Sequence, residues 1–442
     1  MRLNGFVDTT HPLSLRSAFK KLDPKVRPLI DYAPESLWEQ DTAMLPLPLR
    51  QHRKQCRKFA ETWLKPHVLE FDSCHDKPDV WPIMKTAARH GLFTDMPAPI
   101  GTLNILKSVY PLQWVQSIKL EELCTVCGGL GLLLGAHVLG SAPLVLSGSI
   151  SAIRQFLWPM YQQNKQGEPA LMAFAITEPG AGSDAEDGDG AFHYRPGTVA
   201  GKVQGGWMIN GRKIFISGGD RASAVCVFAA LEHEGMESWT CFLVKKDTPG
   251  FSVGRNELKM GQRASTASEL IFEDVFVPDS HVIGKLRSGW ALNRAVLNFS
   301  RIPVGAIALG IARGAMESAI QFVCTQTLGG KPLMEYQEVQ LNVAQMLIDT
   351  SAMRAMIWQS ASTFTPTQAR ASMTKVFCGD MAVKVCEAAM EIMGNHGMLH
   401  TKLAEKAYRD SRLTQIYEGT NQINRLAVIE DQMEEFCRYY QS

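Results

Sequence analysis

The texture of the chain changes twice, near Leu171 and again after Gly289, and these two changes limit the fold more than any other feature. Before the first change, apolar residues recur at helical spacing over 47–70, 82–92 and 114–161. Between the two changes lie short apolar runs at 171–177, 206–216, 224–231, 238–245, 251–253 and 269–277, punctuated by glycine and proline as strands are. Within 206–216 the Asn210-Gly211 pair predicts a hairpin turn, because both central positions of the tightest turn need positive φ. After Gly289 the helical pattern returns over 290–328, 334–360, 366–393 and 403–439, the last obliged to break at Gly419. Helices, then strands, then helices is an α+β order. It predicts an N-terminal extension at 1–44, a helical domain at 45–168, an antiparallel β domain at 169–285 and a helical domain at 286–442.

Composition removes several functional classes. Lys plus Arg (45) balances Asp plus Glu (44), so nothing draws the chain as a whole to nucleic acid or an anionic membrane. Ten cysteines show no disulfide rhythm, and the single close pair, Cys124 and Cys127, lacks a second pair at zinc spacing. These read as core thiols in a reducing compartment, and the expected location is the cytoplasm. The first residues lack the apolar stretch of a signal peptide. Residues 130–146 come nearest to a membrane span, but Gly135, His137 and Pro143 favour a buried core helix. Gly128, Gly129 and Gly131 follow no strand and make no dinucleotide fingerprint. His396 and His400 have no third ligand at suitable spacing, so no metal is expected.

Two segments carry chemistry. Thr177-Glu178-Pro179-Gly180-Ala181-Gly182-Ser183-Asp184 ends the first strand, where glycines let backbone N–H groups approach a ligand and Ser183 offers a hydroxyl. Taken alone, such a turn is usually only a turn. The second is Arg409-Asp410 followed by Ile416-Tyr417-Glu418-Gly419-Thr420. A lone glutamate is usually solvated, but one held at a helix break among apolar groups acquires the basicity of a proton acceptor.

Together, in this order and separation, the two segments resemble the signatures of the acyl-CoA dehydrogenase family. Met260-Gly261-Gln262-Arg263 and Phe272-Glu273-Asp274-Val275-Phe276-Val277-Pro278 resemble it too, and the likeness covers about 47–435. It implies a helical N-terminal domain, a central antiparallel β-barrel and a C-terminal four-helix bundle, with FAD between the last two. The implied reaction is α,β-dehydrogenation of an acyl-CoA to the trans-2-enoyl-CoA, as in fatty-acid β-oxidation. Glu418 would remove the α-proton, flavin N5 would accept the β-hydride, and the Glu418 N–H would polarise the thioester carbonyl. By the same resemblance Phe174, Ile176, Thr177, Phe215 and Ser217 adjoin the flavin ring. Thr420 and Gln422 lie by the flavin and its adenosine part; Ser183, Arg301 and Tyr417 contact the acyl-CoA. Some relatives carry the base just before the arginine at 301; Ser300 stands there and leaves Glu418. The implied partners are an electron-transferring flavoprotein and other copies of the chain, as a dimer or tetramer.

The departures cluster on the outer half of the cofactor. Gln326 and Gly329 stand where the family has an arginine and an aromatic reaching a neighbouring subunit's FAD. Glu391 stands where a neutral glutamine precedes a Gly-Gly pair at the pyrophosphate. Either a modified contact set serves a homo-oligomer, the reading favoured here, or some flavin sites of a hetero-oligomer are incomplete. The loop at 97–112 also diverges and leaves the acyl group undefined. Rival readings are an oxidase, desulfinase or monooxygenase on the same fold, and a flavoprotein without catalysis. Monooxygenase relatives need no α-proton base, which disfavours that rival.

Overall fold

Apolar stripes at helical spacing and β-branched runs at strand spacing sort this chain into three layers, as seen in a computed structural model. The structure describes residues 21–26, 37–74, 76–94, 110–183 and 188–441. Most of the 1–44 extension and the loop at 97–109 lie outside the described residues.

The N-terminal layer holds α1 (Leu37–Ala43), α2 (Leu47–Phe59), α3 (Trp81–Arg89), α4 (Leu112–Cys124) and α5 (Gly128–Leu146). Helix α2 continues through a π turn at Ala60–Leu64 and a 3-10 turn at Lys65–His67, which accommodates Pro66 without ending the helical path. Trp38 of α1 lies over the guanidinium groups of Arg313 and Arg354, at 4.1 and 3.9 Å from its ring centroid. Beneath it Arg313 and Arg354 pair with the buried Glu121 and Glu122.

The strands are β1 (Met172–Ala175), β2 (Val199–Val203), β3 (Gly206–Ser217), β4 (Ala224–Leu231), β5 (Thr240–Lys245), β6 (Phe251–Asn256), β7 (Ala267–Pro278) and β8 (Val282–Ile283). Their order is β6-β7-β3-β2-β4-β5-β8, with β1 added to β4. Two features differ from the antiparallel barrel that the sequence suggests. β1 and β2 both run parallel to β4, so the sheet is mixed. The path ends at β6 and β8, which do not pair with each other, so among the described residues no barrel closes. The Asn210-Gly211 hairpin is also absent, and both residues lie inside the continuous strand β3. The turn falls at Gln204 and Gly205 (φ +76°), where Val203 pairs with Gly206. Asn210 instead meets a bulge, its amide bonding the backbone N–H and the carboxylate of Asp274. Bulges and turns use the same glycine signal, and long-range pairing decides between them.

The last layer contains α6 (Gly289–Thr325), α7 (Gln337–Ala361), α8 (Gln368–Met393), α9 (Ala404–Leu413) and α10 (Asn421–Gln441). The expected fourth helix thus splits into α9 and α10, on either side of Gly419. Helices α5 and α6 are long and apolar enough to cross a membrane, yet most of each is buried inside the protein. Cys124 and Cys127 are buried free thiols whose burial pushes their pKa up, as core residues.

Candidate active site

The loop between α9 and α10 is held in an unusual shape. Glu418 (φ +58°) and Gly419 (φ +79°) are both left-handed, a conformation that costs a residue with a Cβ about 1–2 kcal/mol. Buried donors fix it from below. Lys375 Nζ donates to the Gly419 carbonyl (2.6 Å) and to Asn421 Oδ1 (2.8 Å). Asn424 Nδ2 lies 3.2, 2.9 and 3.0 Å from the carbonyls of Glu418, Gly419 and Thr420. Arg301 is also buried, its Nε 3.4 Å from the Glu418 carbonyl and its Nη1 3.1 Å from Ser372 Oγ. The arginine that the family resemblance assigns to the CoA is placed here beneath the loop.

The Glu418 side chain turns toward α6, where Ser300 Oγ donates to Oε2 at 2.6 Å. Burial raises the Glu418 pKa; the Ser300 hydrogen bond and the charges of Arg301 and Lys375 lower it, and the balance stays above an ordinary carboxyl. Glu418 is half-buried and lines a cavity of about 70 Å3. Leu120, Leu132, Leu139, Phe299, Val304 and Ile307 make its walls, with Gln116, Ser217 and Tyr417 also lining it. Gln262 Nε2 holds the Tyr417 hydroxyl (3.2 Å) and the Asp410 carbonyl (2.8 Å), tying the loop to the β layer. No described residue accepts a hydrogen bond from the Glu418 N–H.

The strand-end motif approaches from the other side. Glu178 is buried and accepts from Lys213 Nζ (2.7 Å), the Gly197 N–H (2.6 Å) and the Thr198 N–H (3.1 Å). Lys213 also reaches the Ile176 carbonyl (3.0 Å), and Ile214 N–H the Thr177 carbonyl (2.9 Å), so this acid anchors the loop to β3. Ser183 Oγ accepts from the Thr420 N–H at 3.0 Å and joins the two motifs directly. Thr420 Oγ1 accepts from Ile423 N–H (3.3 Å) and caps α10, whose first turn carries the exposed Gln422.

Phe174 is mostly buried against Phe228, whereas Ile176, Thr177 and Ser217 are partly open. Phe215 lies at a register shift of β3 with φ +58° and is 54 % exposed, unusual for an aromatic side chain in a sheet. Gln326 follows α6 and lines a polar groove of about 350 Å3 with Arg57, Lys65, Lys402 and Met393; Glu391 is exposed on α8, two residues before Met393. Sequence reasoning missed Lys213, Lys375 and Asn424 as site supports, and treated Ser300 only as an excluded base. Lys375 offered one signal, a cation on the apolar face of a core helix.

The fold also gives His400 partners that its spacing hid, since Asp72 and Glu405 could share a metal ion with it. Arg409 already bonds Asp72 Oδ2 (2.6 Å) and Glu405 Oε2 (2.7 Å), so its guanidinium supplies the positive charge between these carboxylates.

Comparison with known proteins agrees across the three layers. Residues 49–164, 173–275 and 287–433 match the family models described as the N-terminal, middle and C-terminal domains of acyl-CoA dehydrogenase. A mouse (Mus musculus) short-chain specific mitochondrial acyl-CoA dehydrogenase is 31% identical over 382 residues, covering 85% of this chain and 88% of that protein. A cyclohexane-1-carbonyl-CoA dehydrogenase of Syntrophus aciditrophicus is 35% identical over 315 residues, covering 70% and 79%. The solved butyryl-CoA dehydrogenase of Megasphaera elsdenii superposes with a TM-score of 0.79 at 28% identity, covering 88% of this chain and 99% of that one.

Proposed function

The chain belongs to the acyl-CoA dehydrogenase family of FAD-dependent oxidoreductases acting on acyl-CoA, and from that premise we propose that it desaturates a short acyl-CoA between its α and β carbons with Glu418 as base. One observation carries the reading: a carboxylate on a strained, buried-donor-held loop faces an apolar cavity, beside its own unengaged N–H.

The residues present suit a flavin. Phe215 offers an uncovered aromatic face. The side-chain hydroxyls of Thr177 and Ser217 have no hydrogen-bond partner among the described residues. A Cβ added at Gly180 or Gly182 would meet nothing within 4 Å, which leaves backbone open beside them. Ile176, Thr177, Phe215 and Ser217 would hold the ring, Thr420 and Gln422 its extension. When bound, FAD supplies the two-electron acceptor for the β-hydrogen.

The chain's own work is to prepare the α-carbon. An α-proton of a thioester is weakly acidic, so the base and the carbonyl donor must be in place before transfer. Glu418 takes the proton on its carboxylate, and its N–H, which no described residue engages, donates to the thioester oxygen. Apolar walls exclude water and keep the carboxylate basic. The small cavity supports a short acyl group, in keeping with the short-chain and cyclohexane-1-carbonyl relatives.

In this reading electrons leave for an electron-transferring flavoprotein, and the chain assembles with copies of itself. Leu426, Ile429, Met433 and Phe436 support self-assembly, since they form one exposed apolar stripe along α10. The deciding experiment is anaerobic titration of FAD-loaded protein with C4 to C8 acyl-CoAs while following flavin absorbance. We expect bleaching with the short members, and binding without bleaching in Glu418→Gln. Flavin that stays oxidised with every acyl-CoA overturns the proposal.

A further inference from the structure

Gln116 is the polar anomaly of the cavity. It lies on α4 one turn before Leu120, is 1 % exposed, and belongs to the same wall that faces Glu418. Both amide atoms, Nε2 and Oε1, are buried, and neither has a hydrogen-bond partner among the described residues. A buried amide with donors and acceptor unmet weakens a fold, and native chains keep one where something else completes it. The neighbouring lining cannot do so: Leu120, Leu132, Val304 and Ile307 are apolar, and Pro303 has no N–H.

Its place along the cavity follows from the helix contacts. Gly310 of α6 abuts Glu121 and Cys124 of α4, and Gly314 abuts Thr125, so the two helices advance side by side in the same direction. Counting back along both, Gln116 stands level with Pro303 and Val304, one turn beyond Ser300. A turn is about 5.4 Å. An acyl chain whose α-carbon meets Glu418 therefore reaches Gln116 a few bonds farther out, past the β-carbon.

Resting on the reading of Glu418 as the base, we propose that Gln116 selects an acyl-CoA whose chain carries an uncharged polar group, a hydroxyl or oxo, at its γ or δ carbon. A carboxamide both donates and accepts, and so matches either group. A carboxylate is disfavoured because, among the described residues, no lysine or arginine lines the cavity to neutralise it. Sites built to bond a polar substituent reject the analogue lacking it strongly, since their own groups are then left unmet.

The test compares pentanoyl-CoA with 4-oxopentanoyl-CoA and 5-hydroxypentanoyl-CoA on the FAD-loaded protein, reading kcat/KM and, by calorimetry, binding to Glu418→Gln. We expect at least one polar substrate to be favoured by about 30-fold or more. Gln116→Leu should reverse that preference while keeping or raising the Tm of the substrate-free protein; Gln116→Met serves if the leucine variant does not fold. A wild-type protein that prefers pentanoyl-CoA, or a preference unchanged by either substitution, overturns the inference and leaves the dehydrogenase reading standing. Failure of every acyl-CoA to bleach the flavin sinks both.

Discussion

Ser300 Oγ lies 2.6 Å from Glu418 Oε2, a hydrogen bond that joins α6 to a loop 118 residues later. Only the ionised carboxylate can take a proton, and this bond favours the ionised form. Removing it with Ser300→Ala raises the Glu418 pKa further, in the direction that burial already pushes it. A hydrogen bond to a charged group contributes about 1.5–3 kcal/mol. We therefore expect the acid limb of kcat/KM to move up by about one pH unit, so that activity on that limb falls about tenfold and recovers as the pH rises. The check is the acid limb of the kcat/KM profile; an unmoved limb with intact flavin content would show that the bond does not form in solution.

The parts of the site that lie within one stretch of chain were legible before the structure. Tyr417-Glu418-Gly419-Thr420 and the Thr177–Ser183 turn each keep their chemistry in a few consecutive residues, and glycine marks both. The supports were not legible, because they arrive from afar: Lys375 acts on a carbonyl 44 residues later and Ser183 on an N–H 237 residues later. A lysine on the apolar face of a helix is the one trace they leave, and it names no partner. Layer order was readable from periodicity, whereas closure of the sheet was not. Whether β1 runs parallel or antiparallel to β4 depends on connections that strand patterns do not encode.

The Glu178–Lys213 pair gives a stability prediction. Both side chains are almost fully buried, and removing one partner of such a pair costs about 3–5 kcal/mol. Lys213→Met should lower the Tm accordingly. Burial raises the Glu178 pKa, but the Lys213 charge and hydrogen bonds outweigh it and hold the carboxyl below its ordinary value. A depressed carboxyl stabilises the fold above its unfolded pKa, about 4.3, and loses that contribution as pH falls through the folded value. The gap in Tm between wild type and variant should therefore narrow below about pH 4; a gap independent of pH would place the loss in packing instead.

Phe215 separates cofactor binding from folding. Its ring is 54 % exposed, so Phe215→Ala should change the flavin-free stability by less than about 0.5 kcal/mol. An aromatic stack contributes about 0.5–1.5 kcal/mol, so FAD should bind about 3- to 10-fold more weakly. Phe215→Trp should bind at least as tightly as wild type. Fluorescence titration of the flavin-free protein measures all three, and unchanged affinity in the alanine variant would remove the ring from the cofactor site.

Lys375 tests whether the loop's shape, and not only its carboxylate, makes the base. Its ammonium is fully buried and donates to the Gly419 carbonyl and Asn421 Oδ1, while its charge lowers the Glu418 pKa. Lys375→Met leaves both oxygens without that donor, each a loss of about 1–3 kcal/mol, and frees the left-handed turn to relax. Catalysis should then suffer in two ways that pH distinguishes. The lost charge moves the acid limb upward, as in Ser300→Ala. The relaxed loop misplaces carboxylate and N–H together, and no increase in pH restores that geometry. We expect Lys375→Met to keep a kcat well below wild type on its alkaline plateau, whereas Ser300→Ala returns close to it. Full recovery of Lys375→Met at high pH would mean that the lysine acts through its charge alone and that Asn424 and Arg301 suffice to hold the turn.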